Sequence, residues 1–379
     1  MAVKNYGILQ PVKYKNLELK NHIEWLPAVS VLAGDEDGYL TDALIDRHLK
    51  RAKGGFGLID VEACGINDMR SPKLLRLIND EQVKRHKQMT DAVHAYGCKM
   101  TVQLIHYVKQ SVRTGWKFPI EDFTKEDILD IEQQFVDATV RAKAAGYDGV
   151  ELHAAHGYTL SSFVSLLNKR TDEYGGNEEG RCRIVTEIVE KARKVVGDDY
   201  CIGARISGEE FVNGGNTLKH TTKIAQIFAK AGMDFISVSA GGKTEDGAWY
   251  MGYSGNRCMP PAYYPYGLHV YLADGIKRAL RDIGSDMPVI VSGKIDTLER
   301  GQEVFNNGSA DIIGYCRPAI CDPEFINKSA GINPEPLVKC VYCNTCLARD
   351  QRHEAVNCIV WEKVCEKKGI DPYEPLWKG

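Results

Sequence analysis

Nowhere in the 379 residues is there a run of about 18 apolar side chains, so no membrane-spanning helix is expected. The first ten residues also lack the apolar stretch of a secretory leader, and together these absences predict a cytoplasmic protein. Excess charge of either sign is missing: 48 Lys and Arg stand against 51 Asp and Glu, a net charge of −3. That balance offers no electrostatic footprint for nucleic acid or an anionic membrane and directs attention to a small-molecule ligand. No Gly-x-Gly-x-x-Gly turn joins a strand to a helix, which argues against an open dinucleotide-binding sheet. Gly54, Gly55 and Gly57 precede a strand and read as a helix stop and a tight turn. Internal repeats of solenoid length and low-complexity segments are absent as well.

What is present is a regular alternation. Short apolar runs rich in β-branched residues fall at 23–29, 57–62, 100–105, 149–153, 201–206, 235–238, 288–291 and 311–314. Between them lie stretches of helical period at 41–53, 80–96, 126–145, 181–196, 218–231, 271–281 and 298–306. Thr41 caps the first helix, and Gly97, Gly146, Gly197 and Gly232 each stand just beyond the end of another. Strict alternation predicts a parallel sheet, and eight units are the number that closes an α/β (β/α)8 TIM barrel. The expected organisation is a barrel over 1–331 and an appended extension over 332–379, marked by Pro334, Pro336, Pro372 and Pro375.

In such a barrel the chemistry sits at the C-terminal ends of the strands. After the fourth strand come His153, His156 and Tyr158. Two imidazoles can hydrogen-bond one carbonyl oxygen and stabilise charge developing there, while a phenol across the ligand can deliver a proton. As a zinc site the His-x2-His pair has no convincing third ligand nearby.

Cysteine is plentiful, with twelve residues, but in a reducing compartment they do not read as a disulfide framework. Cys64, Cys98, Cys182, Cys201, Cys258, Cys316 and Cys321 are scattered and read as small buried hydrophobes. Cys340, Cys343, Cys346 and Cys358 form C-x2-C-x2-C-x11-C, with Cys365 outside that spacing. Such a set binds zinc or an iron–sulfur cluster, and spacing alone does not decide between them.

The run Asn168, Arg170, Asp172, Tyr174, Gly175, Gly176, Arg181 and Arg183 has the form N-x-R-x-D-x-Y-G-G-x4-R-x-R. Together with 21–28, 61–63, 103–106, 204–207, 292–294 and 310–317 it resembles the Old Yellow Enzyme group of NADH:flavin oxidoreductases. The segment around Cys340 to Cys346 is similar to the iron–sulfur branch containing 2,4-dienoyl-CoA reductase and trimethylamine dehydrogenase. The resemblance implies a TIM barrel holding FMN, with Pro27, Ala28, Ala63, Gln103 and Arg205 along the ring. Gly293, Lys294, Gly314, Cys316 and Arg317 would hold the phosphate. A phosphate also belongs physically where the loops after strands seven and eight present backbone N–H groups. A fixed charge at Arg205 would stabilise reduced flavin. The resemblance further implies a [4Fe–4S] cluster on Cys340, Cys343, Cys346 and Cys358. Val29 departs from the threonine or cysteine of many relatives, which excludes a covalent cysteinyl link from that position.

The implied reaction is reduction of an activated C=C bond in an enone, enoate or enoyl thioester. His153 and His156 would polarise the carbonyl and Tyr158 would protonate the α-carbon. Oxidative amine dealkylation is a second reading, weakened because Ala63 and His153 stand where that branch carries tyrosines. A third is an electron-transfer subunit, and a fourth a non-enzymatic binding barrel. Larger relatives continue into nucleotide-binding domains. With the sequence ending at Gly379, electrons are expected from NAD(P)H or from an electron-donor protein. Trp249 and Tyr250 could wall the substrate pocket. The identity of the alkene and the oligomeric state, a homo-oligomer included, stay open.

Overall fold

The computed structural model describes residues 4–34, 37–68, 73–107, 120–243, 245 and 255–379. A short antiparallel hairpin, β1 (Val12–Tyr14) and β2 (Leu17–Leu19), precedes the barrel. The barrel strands are β3 (Ile23–Trp25), β4 (Leu58–Gly65), β5 (Lys99–Ile105), β6 (Gly149–Ala154), β7 (Cys201–Ser207), β8 (Phe235–Ser239), β9 (Val289–Val291) and β10 (Ile312–Tyr315). They pair in parallel in chain order and close through β10 against β3. All eight expected strands are present. The first is shorter than its apolar run, because Pro27 has no N–H to donate to a ladder. The chain leaves the sheet after Trp25, with Leu26 N–H still bonded to the Tyr315 carbonyl at 3.2 Å.

Helices α1 (Asp42–Lys53), α2 (Asp80–His94) and α3 (Lys125–Ala144) follow the first three barrel strands. After β6 come α4 (Thr159–Val164) and α5 (Glu178–Val196), then α6 (Leu218–Lys230), α7 (Val270–Asp282) and α8 (Leu298–Asn306). Thr41 caps α1 by accepting from Leu44 N–H, and Thr124 and Asp127 form a capping box on α3. Beyond β10 lie α9 (Arg317–Cys321), α10 (Phe325–Ser329), α11 (Thr345–Gln351) and α12 (Ile359–Lys368). Among the described residues no helix is long and apolar enough to cross a membrane.

The barrel interior changes character along its axis. At the N-terminal end Leu58, Phe235, Ile290 and Ile312 meet Leu17 and Leu19 of the hairpin, which stops that end with apolar surface. Gly203 is required in this layer, since a Cβ there would lie 2.4 Å from the Phe235 ring. One layer higher stand Glu24, Asp60 and Glu151, all buried. Gln103, His153 and Arg205 follow at the mouth. Oil, then acid, then ligand-facing groups is the order from floor to rim.

Candidate functional site

A cavity of about 210 Å³, open to solvent, lies over the C-terminal ends of the strands. Pro27, Ala28 and Val29 after β3, with Ala63 on β4, give it an apolar wall. Gln103 on β5 and Arg205 on β7 supply a polar edge. On the neighbouring strands, Gly293 and Lys294 after β9 and Gly314, Cys316 and Arg317 at β10 close one side. His153, His156 and Tyr158 line the same space. Among the described residues, those expected at the flavin and substrate sites therefore face one cavity.

Its electrostatics fit an anionic ligand. Lys294 and Arg317 are buried, 5% and 7% exposed, yet each is held by neutral partners. The Lys294 ammonium donates to the carbonyls of Ala262 (2.8 Å) and Tyr264. Arg317 Nη1 donates to the Pro260 carbonyl (2.8 Å) and to Asn344 Oδ1 (2.6 Å). Arg205, 6% exposed, donates to Ser237 Oγ at 2.8 Å. Among the described residues none of the three makes a carboxylate ion pair, and buried cations without counter-charge are costly unless a ligand supplies it. A flat apolar wall, a hydrogen-bonding edge and adjoining cations suit FMN, whose phosphate and reduced ring both carry negative charge.

The acid layer under the mouth orients this edge. Gln103 Nε2 donates to Glu151 Oε1 at 2.7 Å, which leaves the Gln103 carbonyl oxygen as the end for a ligand. Thr101 Oγ1 donates to Asp60 Oδ1 at 2.8 Å, while Asp60 Oδ2 and Glu151 Oε2 are buried with no hydrogen-bond partner among the described residues. The three acids offer oxygens within 4.8 Å of one another. Burial and the Glu151 charge push Glu24 and Asp60 well above the usual carboxylate range, while Arg205 pulls Glu24 back. Protons thus balance charge that a closed interior could not hold.

The proposed catalytic groups also contact each other. The rings of His153 and His156 meet edge-on at 5.1 Å, and His153 lies 4.9 Å from Tyr158. Burial, with the nearby Arg205 and Lys243 charges, holds His153 well below the usual histidine range. Burial, His153 and Arg205 do the same for His156. Both imidazoles are neutral donors or acceptors, not cations. His153 Nδ1 accepts from Ala155 N–H at 3.4 Å, which leaves its proton on Nε2. His156 Nε2 lies 2.7 Å from Ser239 Oγ and 3.4 Å from Cys258 Sγ. Cys258 and Cys316 are thus corrected from buried hydrophobes to half-buried groups on the cavity wall.

A smaller cavity of about 20 Å³ adjoins the first and is lined by Cys340, Cys343, Cys346 and Cys358. Cys346 and Arg317 line both cavities. Among the described residues, only Glu24, Asp60 and Glu151 bring three ligating groups within 4.8 Å of one another, so no three of these sulfurs are that close. Burial pushes the Cys340 and Cys346 thiols up to about 12 and 11, a cost that metal ligation removes. Cys365 is buried and does not line this cavity.

The long motif at 168–183 turns out to be a brace. Asn168 Nδ2 donates to the carbonyls of Phe163 and Tyr174, each at 2.8 Å. Arg170 pairs with Asp172 and donates to the Phe123 carbonyl at 2.8 Å. Arg181 ties the Gly176 carbonyl (2.8 Å) to that of Val164 (3.2 Å), fixing the loop that follows Tyr158. The sequence reading missed Glu24, Asp60 and Glu151 as a group, Lys243 beside Tyr158, and Cys321, which hydrogen-bonds to Cys358. Acids within otherwise apolar strands were the available signal for the first group. Trp249 and Tyr250 lie outside the described residues.

Known proteins resemble the chain over most of its length. A profile of the NADH:flavin oxidoreductase / NADH oxidase family matches residues 7–333. An NADH oxidase of Thermoanaerobacter brockii is 35% identical over 349 residues, covering 87% of this chain and 51% of that protein. A cinnamate reductase of Clostridium sporogenes is 29% identical, covering 94% and 57%. Among solved structures, a 2-naphthoyl-CoA reductase complex superposes with a TM-score of 0.83 at 25% identity, covering 97% of this chain and 58% of that one. The chain spans about half the length of these relatives.

Proposed function

This chain belongs to the NADH:flavin oxidoreductase / NADH oxidase family, and from that premise we propose that it is an FMN- and [4Fe–4S]-dependent reductase of C=C bonds conjugated to a carbonyl. One observation carries the reading. Two neutral imidazoles and a phenol share a cavity with three buried cations that lack carboxylate partners. Relatives and neighbours named cinnamate reductase and 2-naphthoyl-CoA reductase support an alkene or aromatic acyl substrate.

Pro27, Ala28, Ala63, Gln103 and Arg205 would hold the flavin ring, and Gly293, Lys294, Gly314, Cys316 and Arg317 its phosphate. Bound FMN would supply hydride to the alkene and accept electrons from NAD(P)H or a protein donor. His153, with its proton on Nε2, donates to the substrate carbonyl, and His156 shares that oxygen. Their neutrality matters, since a hydrogen bond strengthening as the oxygen gains charge lowers the barrier without a proton leaving the imidazole. Tyr158 gives its phenolic proton to the α-carbon. The segment at 332–379 serves as the cluster-binding extension through Cys340, Cys343, Cys346 and Cys358.

Anaerobic purification with a visible spectrum, an iron assay and a panel of enones, enoates and enoyl thioesters tests the proposal. We expect FMN released entirely by acid precipitation, about four iron atoms per chain, and turnover of at least one alkene class. Protein without flavin, or with zinc in place of iron, overturns the cofactor assignments. Fast electron exchange with a protein partner and no turnover of any activated alkene would favour the electron-transfer reading. That second reading has its own support, since Cys346 borders both cavities while Cys343 is exposed.

A further inference from the structure

The loop after β8 is stitched to the loop that carries Tyr158. His156 and Gly242 form an isolated parallel bridge, and Lys243 N–H donates to the His156 carbonyl at 3.1 Å. Gly242, at φ +145°, permits the approach, because a Cβ there would lie 2.4 Å from His156 Cα. The stitch sets the Lys243 ammonium 3.7 Å from the centre of the Tyr158 ring, with Lys243 only 5% exposed. No role assigned so far to the cavity uses this cation.

We propose that Lys243 is a positioning residue for protonation: its ammonium, held on the face of the Tyr158 ring, stabilises the tyrosinate left when the phenol protonates the substrate. The inference rests on Tyr158 being the proton donor. In that step the Tyr158 O–H bond breaks and a C–H bond forms at the α-carbon, using the electron pair of the substrate enolate. The O–H pair stays on the phenolate oxygen, and solvent later returns a proton. A cation over an aromatic face is attracted by the ring, and the attraction grows once the ring carries negative charge. The contact is therefore stronger after proton transfer than before it, which is what lowers a barrier.

Among the described residues, the other rings against it are His153 on β6 and Tyr107 after β5, which stands perpendicular at 5.5 Å, and His156 in turn packs on His153. The histidines are neutral, and burial pushes Tyr107 well above the usual phenol range, so it stays protonated. Arg205 acts on the histidines from β7. Burial lowers Lys243 to about 7. Its charge is present below that pH and lost above it, so its assistance fades as pH rises.

The test uses holoenzyme reoxidised by the best alkene of the panel, comparing Lys243→Met, Lys243→Gln and Lys243→Arg. Met and Gln should slow alkene-dependent reoxidation about tenfold at about pH 6, and Arg, which keeps the cation, should restore most of the rate. The gap between parent and neutral variants should close by about pH 9. Phenolate binding over the oxidised flavin, read from its long-wavelength band, should stay within about twofold, which a collapsed pocket would not allow. In a Tyr158→Phe background, Lys243→Met should add no further loss. A full tenfold loss persisting in that background overturns the proposal, and so does an Arg variant as slow as Met. Gln provides the same readings if Met does not fold. A Tyr158→Phe enzyme at the parent rate would instead remove Tyr158 as donor and leave the Lys243 contact without this role.

Discussion

Around the barrel mouth, Ala63, Gln103, His153, Arg205 and Gly314 stand on strands, and Pro27 and Gly293 lie two residues past strand ends. Each strand is paired on both sides in a closed ladder. The cysteine cavity is built otherwise. Its cysteines stand in loops or at the ends of two short helices, α11 and α12, which are joined by the bidentate pair of Arg349 and Glu362 at 2.8 and 2.9 Å. Arg317 and Asn344 bind this segment to the barrel, as does Val356 N–H on the Ser30 carbonyl at 2.8 Å. A site on a closed ladder keeps its shape without its ligand, whereas a site on loops gains much of its order from the metal it binds.

The sharpest way to break that contrast is to remove one of the proposed cluster ligands. Cys358→Ala should lose essentially all iron while FMN stays bound, and Cys365→Ala should keep both, as iron assays and visible spectra would show. Flavin lost together with iron would mean that the two regions are one cooperative site. Next in size is Tyr158→Phe, which keeps the ring and removes the hydroxyl. Transfer to the alkene should slow by about 10²–10⁴-fold in stopped-flow measurements while flavin reduction survives.

A smaller effect concerns a buried acid of β4, Glu62. Burial raises Glu62 to about 7. Between the ordinary carboxylate value of 4.5 and that pH the folded chain binds the extra proton, so this group's contribution is full at low pH and lost as pH rises. On the order of 3 kcal/mol of stability should disappear between about pH 4 and pH 8, and Glu62→Gln should not show this loss in denaturant titrations. Smallest is Arg181→Ala, which strips the brace from the carbonyls of Gly176 and Val164. A loss of about 2 kcal/mol is expected, with the flavin spectrum unchanged. A changed spectrum would show that the motif at 168–183 reaches the chemistry directly.

Much of the site was legible because a barrel converts strand order into proximity. His153, His156 and Tyr158 were close in sequence, and Gly293 just past β9 and Gly314 within β10 belong to paired neighbouring strands, so their convergence follows from strand order. The acid layer was not legible for a definite reason. Strands such as β4 are buried on both faces, so alternation does not tell which residues face the interior. Glu24, Asp60 and Glu151 come from three strands, and only the register between those strands puts them at one level.

The amino-acid sequence by itself determined the eight barrel strands, the seven longer helices between them, their order, the closure of the parallel strands and the four-cysteine spacing, but not the hairpin, α4 or the helices after β10. These depend on local periodicity, caps and short-range composition, which chain neighbours decide among themselves. Only the tertiary structure decided that Cys258 joins the cavity wall, that Cys321 meets Cys358, and that Lys243 rests on the ring of Tyr158. Each is a contact between residues distant in the chain. Loop paths set such contacts, and a loop path follows from how packed elements present their ends, which no local pattern encodes.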